Sequence, residues 1–191
     1  MEEQLLGLLS ARRGHFLLES GHHGNLWLDL DALFLRPAAL LPFTRELARR
    51  LGRHKAEAVV GPLVGGAFVA EMVAAELDVR FAFAERRTGA GGVTYVIPDA
   101  FHDHLRGRTV AIVDDAINAG SATRATFAAL TALGARPVAV GALLILGETA
   151  LTHFAANKLA VEAIARLPND LWEPAACPMC AAGEPVSSPS A

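Results

Sequence analysis

The sequence is poor in lysine, in cysteine and in long apolar runs, and each shortage excludes a type of chemistry or a class of protein. Only Lys55 and Lys158 are lysines among its 17 basic residues, so chemistry that needs a mobile ammonium has two candidates. Two cysteines are too few for the disulfide framework of a small secreted protein. No stretch reaches the roughly 18 uninterrupted apolar residues of a membrane span, and the acidic N-terminus predicts no signal peptide. We therefore expect a soluble, cytoplasmic protein that does not bind membranes.

Composition points to one folded domain. The chain has 191 residues, of which 52% are hydrophobic and 19% charged, so it can bury a sizeable core and is not a disordered chain. The net charge of −3 argues against a nucleic-acid partner, although fifteen arginines accompany the two lysines.

Helix and strand patterns alternate along the chain, which predicts an α/β fold with a mainly parallel sheet flanked by helices. Two β-α-β units stand out, over 56–84 and 109–146, each with a central helix (from about 64 to 77 and from about 121 to 133). We expect a helix over 2–11, short strands over 15–18 and 26–31, a helix from Pro37 to about 51, a mobile loop over 86–92, a strand over 93–97 and a helix over 159–167. The main domain is predicted over 1–170, followed by a C-terminal extension over 171–191 whose tail, from Ala181, is expected to be disordered.

The segment VAIVDDAINAGS, residues 110–121, is the most informative in the chain. A buried strand ends in two adjacent carboxylates, Asp114 and Asp115, and small residues then lead into a helix. Ligands bind at the carboxyl ends of strands in open α/β sheets, and backbone N–H groups at the start of a helix favour a phosphate. The carboxylates cannot favour that anion, so they must serve hydroxyl groups or a developing cation beside it. A sugar phosphate meets both demands. The alternative is a buried strand that ends in an Asp-Asp turn, with Ser121 as the N-cap of the next helix.

The same residues resemble the phosphoribosyl-pyrophosphate motif of type I phosphoribosyltransferases, and within them orotate phosphoribosyltransferases. The resemblance covers roughly residues 5–167. It includes 20–31, SGHHGNLWLDLD, similar to strands that form a hood over the base, and 59–67, VVGPLVGGA, similar to the pyrophosphate loop. It implies a type I phosphoribosyltransferase fold with a small N-terminal hood, from about residue 1 to 35, and a homodimer.

The resemblance also implies roles for single residues. Asp114 and Asp115 would hold the ribose hydroxyls and stabilise an oxocarbenium-like transition state. Mg²⁺ would bridge pyrophosphate and ribose oxygens near them, mostly through ligand and water oxygens. Asn118 lies where orotate enzymes place a threonine near the base. The implied binding set for phosphoribosyl pyrophosphate is Asp114, Asp115, Ala116, Ile117, Asn118, Ala119, Gly120, Ser121, Gly61, Pro62, Gly65 and Gly66.

The chain departs from the family pattern at several positions. In place of the mobile loop's Arg-Lys pair it has Arg86 and Arg87, and the later lysine and histidine of that loop have no counterpart. Gly65 stands where the pyrophosphate loop often has a lysine. Directly after the strand that ends near residue 146, where the family pattern has an arginine, this chain has none. Arginine can replace lysine as a bidentate phosphate ligand, so Arg86 and Arg87 are candidate catalytic groups. The alternative is that they are solvated loop charges.

Two further signals lie outside the motif. His23, beside His22, is a candidate base contact, although adjacent histidines are commonly surface turn residues. Cys177 and Cys180 form a CxxC pair, which is half of a zinc site. Such a site could be completed by His153, by a second copy of the chain, or not at all, in which case the two are ordinary thiols.

The sequence thus predicts transfer of 5-phosphoribose from phosphoribosyl pyrophosphate to a nucleobase, most readily orotate, with release of pyrophosphate. Two alternatives remain open. The chain could act on another base, or it could be a non-catalytic regulator that binds phosphoribosyl pyrophosphate and signals through oligomerisation.

Overall fold

The computed structural model describes residues 1–18, 20–89 and 92–188. Within these ranges the helices are α1 (Glu2–Leu6), α2 (Pro37–Leu51), α3 (Gly65–Leu77), α4 (His102–Leu105), α5 (Ser121–Leu133), α6 (Thr149–Ala156) and α7 (Pro178–Ala181). The strands are β1 (Ser10–Leu17), β2 (His23–Asp29), β3 (Ala58–Pro62), β4 (Arg80–Gly89), β5 (Gly92–Val96), β6 (Thr109–Ile117), β7 (Arg136–Leu146), β8 (Ala160–Leu167) and β9 (Leu171–Trp172). Among the described residues, no helix combines the length and apolar character that a membrane crossing requires.

The main sheet has six strands in the order β5-β4-β3-β6-β7-β8. All neighbouring pairs are parallel except β4 and β5, which are antiparallel. One face is covered by α2 and α3, whose buried side chains include Leu40, Leu47 and Val69. The other is covered by α5 and α6, with Leu130 and Phe154. This confirms the predicted α/β fold with a mainly parallel sheet flanked by helices.

A smaller antiparallel sheet, in the order β1-β2-β9, forms the predicted hood. Its third strand comes from the C-terminal extension, because His23 pairs with Trp172 and Gly24 with Leu171. Strands from the N-terminal segment and the C-terminal extension therefore share one sheet. The prediction had treated residues 171–191 as a separate extension.

The predicted helix over 159–167 is wrong, because these residues form β8, parallel to β7 along its whole length. Alanine, glutamate, arginine and leucine in this segment all favour a helix as single residues. The exposed edge of β7 offers a full set of backbone partners, and this tertiary pairing outweighs local propensity. The sequence also did not predict α6, which lies between β7 and β8.

The N-terminal helix and the expected loop also differ from prediction. The helix ends at Leu6 instead of residue 11, and β1 begins at Ser10. Most of the segment 86–92 is strand, because β4 continues to Gly89 and pairs with β5 in a hairpin. Glycine and arginine made this segment resemble a loop, but cross-strand hydrogen bonding continues through Arg86 and Arg87. Residues 90 and 91 lie outside the described residues.

The tail from Ala181, whose disorder stays a prediction, makes backbone hydrogen bonds to β1 within the described residues. Ala181 ends α7, the Ser187 N–H donates to the His15 carbonyl at 2.8 Å, and the Leu17 N–H donates to the Ser187 carbonyl at 3.0 Å. These bonds place the tail beside β1, whose edge supplies partners that the tail's own composition does not reveal. Residues 189–191 lie outside the described residues.

Candidate functional site

Asp114 and Asp115 lie side by side near the carboxyl end of β6. The Asp114 carboxylate is buried and accepts a hydrogen bond from the Thr123 hydroxyl of α5 at 3.0 Å. It also accepts one from the Asp115 N–H at 3.1 Å, while the Asp115 carboxylate accepts one from the Ala116 N–H at 2.8 Å. These bonds fix both carboxylates at the edge of the sheet. Thr123, two residues into the helix that follows the motif, was not identified from the sequence.

The electrostatics of this pair are unfavourable in the absence of a ligand. Burial, and next the charge of Asp115, raise the pKa of Asp114 well above its usual range. Burial also raises the pKa of Asp115, although the hydrogen bonds it accepts act in the opposite direction. Burying two adjacent acids costs stability, and such a cost is typical of sites that bind or react.

The start of α3 approaches the two acids so closely that only glycine fits. A Cβ atom on Gly65 would lie 2.8 Å from the Asp115 carboxyl carbon and 3.1 Å from the Phe34 ring. One on Gly66 would clash with Asp114 Oδ1, and one on Gly61, at the end of β3, would lie 2.5 Å from the Gly66 carbonyl carbon. In this geometry a side chain at position 65 would have to displace the Asp115 carboxylate. The backbone N–H groups of the α3 N-terminus thus lie beside the acid pair.

A second helix, α5, starts at the last residue of the motif. Gly120 precedes α5 with a φ of 75°, and no side chain caps the helix. Ser121 is the first residue of the helix and not its N-cap, so the interpretation of this motif as an ordinary capped turn is wrong. A Cβ on Gly120 would lie 2.7 Å from Ala150 Cβ, so the left-handed backbone and the packing both require glycine here. The uncapped first turn provides backbone donors for an anion.

The hood lies over the acid pair through the 3-10 turn Asp31–Leu35. Phe34 in this turn comes within contact range of Gly65 and packs edge-to-face on Phe68 of α3, with ring centroids 5.2 Å apart. The charge of Asp31 is also close enough to raise the pKa of Asp115. Phe34 was missed from the sequence because it lies far from the motif and carries no motif of its own.

Asn118 forms a hydrogen bond with a later segment of the chain, a contact that the sequence did not predict. Its Oδ1 accepts a hydrogen bond from the Asn169 side-chain amide at 3.0 Å. Asn169 lines a cavity of about 590 Å³ at the carboxyl ends of β7 and β8, together with residues 147–149, 166–168 and 170–172. Arg166 is the cation in this lining. A space of this size beside the motif is suited to a small planar ligand.

Arg86 and Arg87 lie on the exposed β4–β5 arm. Arg87 pairs with Glu85 at 3.3 Å, and across the described residues no hydrogen bond or ion pair joins either arginine to Asp114 or Asp115. The site of one chain therefore assembles the two acids and the two helix starts, but not the two arginines.

His23 has different neighbours from those expected. It is buried, its Nδ1 lies 2.9 Å from His15 Nε2, and Cys177 and Cys180 lie beside this histidine pair. The predicted base contact from His23 is not supported by this geometry, and His23 is not a surface turn residue. His153, one of the alternatives for completing a zinc site, packs instead against Phe127, with ring centroids 5.7 Å apart. His15 was missed, although it lies in a strand that pairs with that of His23.

Comparison with known proteins agrees with this geometry. The model of the phosphoribosyl transferase domain family matches residues 40–155. An orotate phosphoribosyltransferase of Heliobacterium modesticaldum is 31% identical over 188 residues, covering 92% of this chain and 88% of that protein. A solved orotate phosphoribosyltransferase from Aeropyrum pernix superposes with a TM-score of 0.65 at 23% identity, covering 84% of this chain and 89% of that one. A solved adenine phosphoribosyltransferase from Thermoanaerobacter pseudethanolicus gives a TM-score of 0.67 at 18% identity, covering 86% and 99%.

Proposed function

The chain belongs to the phosphoribosyltransferase family, whose enzymes use phosphoribosyl pyrophosphate and a nucleobase, and we propose that it transfers phosphoribose to orotate. The observation that carries this proposal is the buried Asp114–Asp115 pair between two helix starts. A sugar phosphate with pyrophosphate at one end and a 5′-phosphate at the other matches an acid pair flanked by two sets of backbone donors.

In this proposal the two anionic ends of the substrate bind at the two helix starts. The N–H groups at Gly65 and Gly66 face the pyrophosphate, and those from Ala119 to Ser121 face the 5′-phosphate. The ribose hydroxyls then meet the carboxylates of Asp114 and Asp115. The bond from ribose C1 to the pyrophosphate oxygen breaks, and pyrophosphate leaves with the electron pair. A ring nitrogen of the base forms the new bond to C1 and releases its proton to pyrophosphate or water.

The two carboxylates contribute charge and position. Positive charge develops on the ribose as pyrophosphate leaves, and ionised carboxylates fixed beside it stabilise that charge without having to reorganise. Hydrogen bonds from Thr123, Asp115 N–H and Ala116 N–H hold them in place. Ordered positioning of this kind supplies much of the rate enhancement in such transfers.

A magnesium ion fits this donor set. Two buried carboxylates whose pKa values are raised by burial present hard oxygens, the ligands that Mg²⁺ prefers, and would be stabilised by a nearby cation. Asp114 and Asp115 would hold the ion largely through water and substrate oxygens. When bound, it would neutralise charge on the departing pyrophosphate.

Orotate is proposed as the base because the named relative at 31% identity is an orotate phosphoribosyltransferase. The base would occupy the cavity beside Asn118 and Asn169. Orotate carries a carboxylate, and Arg166 supplies the positive charge in that lining. Arg166 thus replaces, in this proposal, the arginine that is missing after β7.

We also propose a cytoplasmic homodimer. Large apolar side chains stay exposed near the site, with Leu35 at 82%, Val64 at 64% and Phe68 at 45% exposure. A patch of this kind is typical of an interface. In a dimer, Arg86 and Arg87 of one chain would reach the pyrophosphate of the other, as the family resemblance implies.

The test is a panel of bases, including orotate, uracil, adenine and hypoxanthine, each incubated with phosphoribosyl pyrophosphate and Mg²⁺. We expect pyrophosphate release with orotate and loss of that release in Asp114→Asn combined with Asp115→Asn. Release with adenine instead would refute orotate as the base. No release with any base, together with calorimetric binding of phosphoribosyl pyrophosphate, would favour the regulator.

A further inference from the structure

Four side chains with metal-binding atoms meet between the hood and the C-terminal extension. His15 lies in β1, His23 in β2, Cys177 just before α7 and Cys180 within it. Each offers one ligand atom, and the four atoms all lie within 4.8 Å of one another. Three of the four residues are buried, and Cys180 is exposed. We propose that this cluster is a structural Cys₂His₂ zinc site that fastens the C-terminal extension to the hood.

Three of the separations between these atoms equal the edges of a tetrahedron around one ion, and all six are within 4.8 Å. Zinc–sulfur bonds of about 2.3 Å and zinc–nitrogen bonds of about 2.0–2.1 Å give edges of about 3.3–3.8 Å between ligand atoms. Cys177 Sγ lies 3.4 Å from His15 Nε2, and Cys180 Sγ lies 3.8 Å from it and 3.3 Å from His23 Nδ1. The two nitrogens, 2.9 Å apart, need to separate by only a few tenths of an ångström.

The tautomer of His15 is already the one that a metal needs. Its Nδ1 lies 3.0 Å from the Glu184 backbone carbonyl, which only accepts hydrogen bonds, so Nδ1 carries the proton. Nε2 of the neutral ring therefore presents a lone pair toward the cluster. A second partner that holds the far nitrogen of a histidine in this way is typical of metal-bound histidine.

The donor set selects the ion. Two thiolates and two imidazoles in a tetrahedral arrangement favour zinc over magnesium or calcium, which prefer oxygen. The four residues are the complete ligand set, so no position is left open for a substrate or a reactive water. This points to a structural site and not to a second catalytic centre.

The position in the fold indicates what the ion stabilises. The short strand β9 makes only two pairs with β2, so a metal would add to the few backbone bonds that join the extension to the hood. Asn169, just before β9, bonds Asn118 of the motif, and the hood continues into the turn that carries Phe34. A metal at the cluster would thus hold the extension, whose strand β9 lines the cavity, against the hood strands that lead into the Phe34 turn. The proposal does not depend on the identity of the base or on catalysis.

The test begins with the full chain purified without chelators or metal-affinity resin. Elemental analysis by mass spectrometry should find about one zinc ion per chain. Replacement by Co²⁺ should give the visible bands of a tetrahedral thiolate site. Chelation should lower the Tm by about 5–10 °C and increase hydrogen exchange in β1 and β2, while β6 and β7 stay protected. Cys177→Ser should lose the ion, whereas the matched control His153→Asn should keep it.

Several results would overturn the proposal. Purified protein without zinc that also fails to take it up would do so, as would a mass lower by two hydrogens, since that indicates a Cys177–Cys180 disulfide. Full zinc content in Cys177→Ser would exclude this cluster as the site. If that variant does not fold, the metal content and cobalt spectrum of the unaltered chain still show whether a tetrahedral thiolate site binds zinc. Because these measurements need no substrate, an inactive enzyme with one zinc ion would refute the proposed function alone.

Discussion

Replacing Gly61 by alanine should damage both stability and activity, because β3 and the start of α3 touch at this point. The added Cβ would lie 2.5 Å from the Gly66 carbonyl carbon and 2.8 Å from Ala67 Cα. Carbon atoms pack at about 3.5–4.0 Å, so the start of α3 must move by about 1 Å. All of these contacts are with backbone atoms, which cannot rotate away as a flexible side chain could.

The loss of stability can be estimated from that displacement of α3. Overpacking typically costs about 1–3 kcal/mol, and backbone contacts place Gly61→Ala near 3 kcal/mol. For a chain of this size that lowers the Tm by about 6–12 °C. Gly66 also abuts Asp114, so the acid pair and the α3 donors lose their alignment, and a shift of about 1 Å can cost about 100-fold in kcat/KM.

Thermal unfolding and pyrophosphate release would measure the two effects. Gly52→Ala is the matched control, because Gly52 has helical backbone angles and its Cβ would make an ordinary contact, 3.4 Å from Leu77. We expect this control to be neutral or slightly more stable. Wild-type Tm in Gly61→Ala would refute the close approach. A lowered Tm with unchanged kcat/KM would refute its link to the acid pair.

Three further predictions concern the site. Without Mg²⁺ and substrate, Asp114→Asn should be more stable than wild type at pH 8. Because burial raises the folded-state pKa of Asp114, that advantage should shrink in unfolding scans as the pH falls and be smallest below about 3.9, the unfolded-state pKa, where the wild-type carboxyl is protonated in both states. An advantage that stays constant with pH would contradict this. Mixing inactive Asp114→Asn with inactive Arg86→Ala/Arg87→Ala should restore about a quarter of wild-type activity if each site takes its arginines from the partner chain; no recovery after subunit exchange would exclude that arrangement. Arg166→Ala should raise KM for orotate about tenfold or more and leave KM for phosphoribosyl pyrophosphate unchanged, whereas Arg136→Ala, at the other end of the sheet, should change neither.

Local chemistry explains why part of the site could be predicted. A run of buried residues followed by two carboxylates and small residues determines a strand, a turn and a helix start, and all three are neighbours in sequence. The helix over 121–133 was predicted with the bounds that the structure shows. The family resemblance rested largely on the same segment, whereas the parallel sheet followed from the alternation of helix and strand patterns along the chain.

Other features depended on which strand edge was available. Residues 160–167 have helical propensity, but they pair with β7 because its edge would otherwise leave backbone groups unsatisfied. Likewise, the β4–β5 arm looked like a loop from its glycines and arginines, yet its two sides bond each other. Propensity acts within a few residues, whereas pairing is decided by the whole sheet.

The sequence alone determined the fold class, the family resemblance and the acid pair, because these follow from contiguous residues with a strong periodic or motif pattern. The shortage of lysine was also visible, but only the tertiary structure showed that a side chain at position 65 would meet the Asp115 carboxylate. The tertiary structure alone decided the partners of distant residues. Asn169 meets Asn118 across 51 positions of the chain, and His15 and His23 meet the CxxC pair because the C-terminal extension adds a strand to their sheet. Contacts between residues so far apart in the chain leave no local pattern, so they could not be predicted from neighbouring residues.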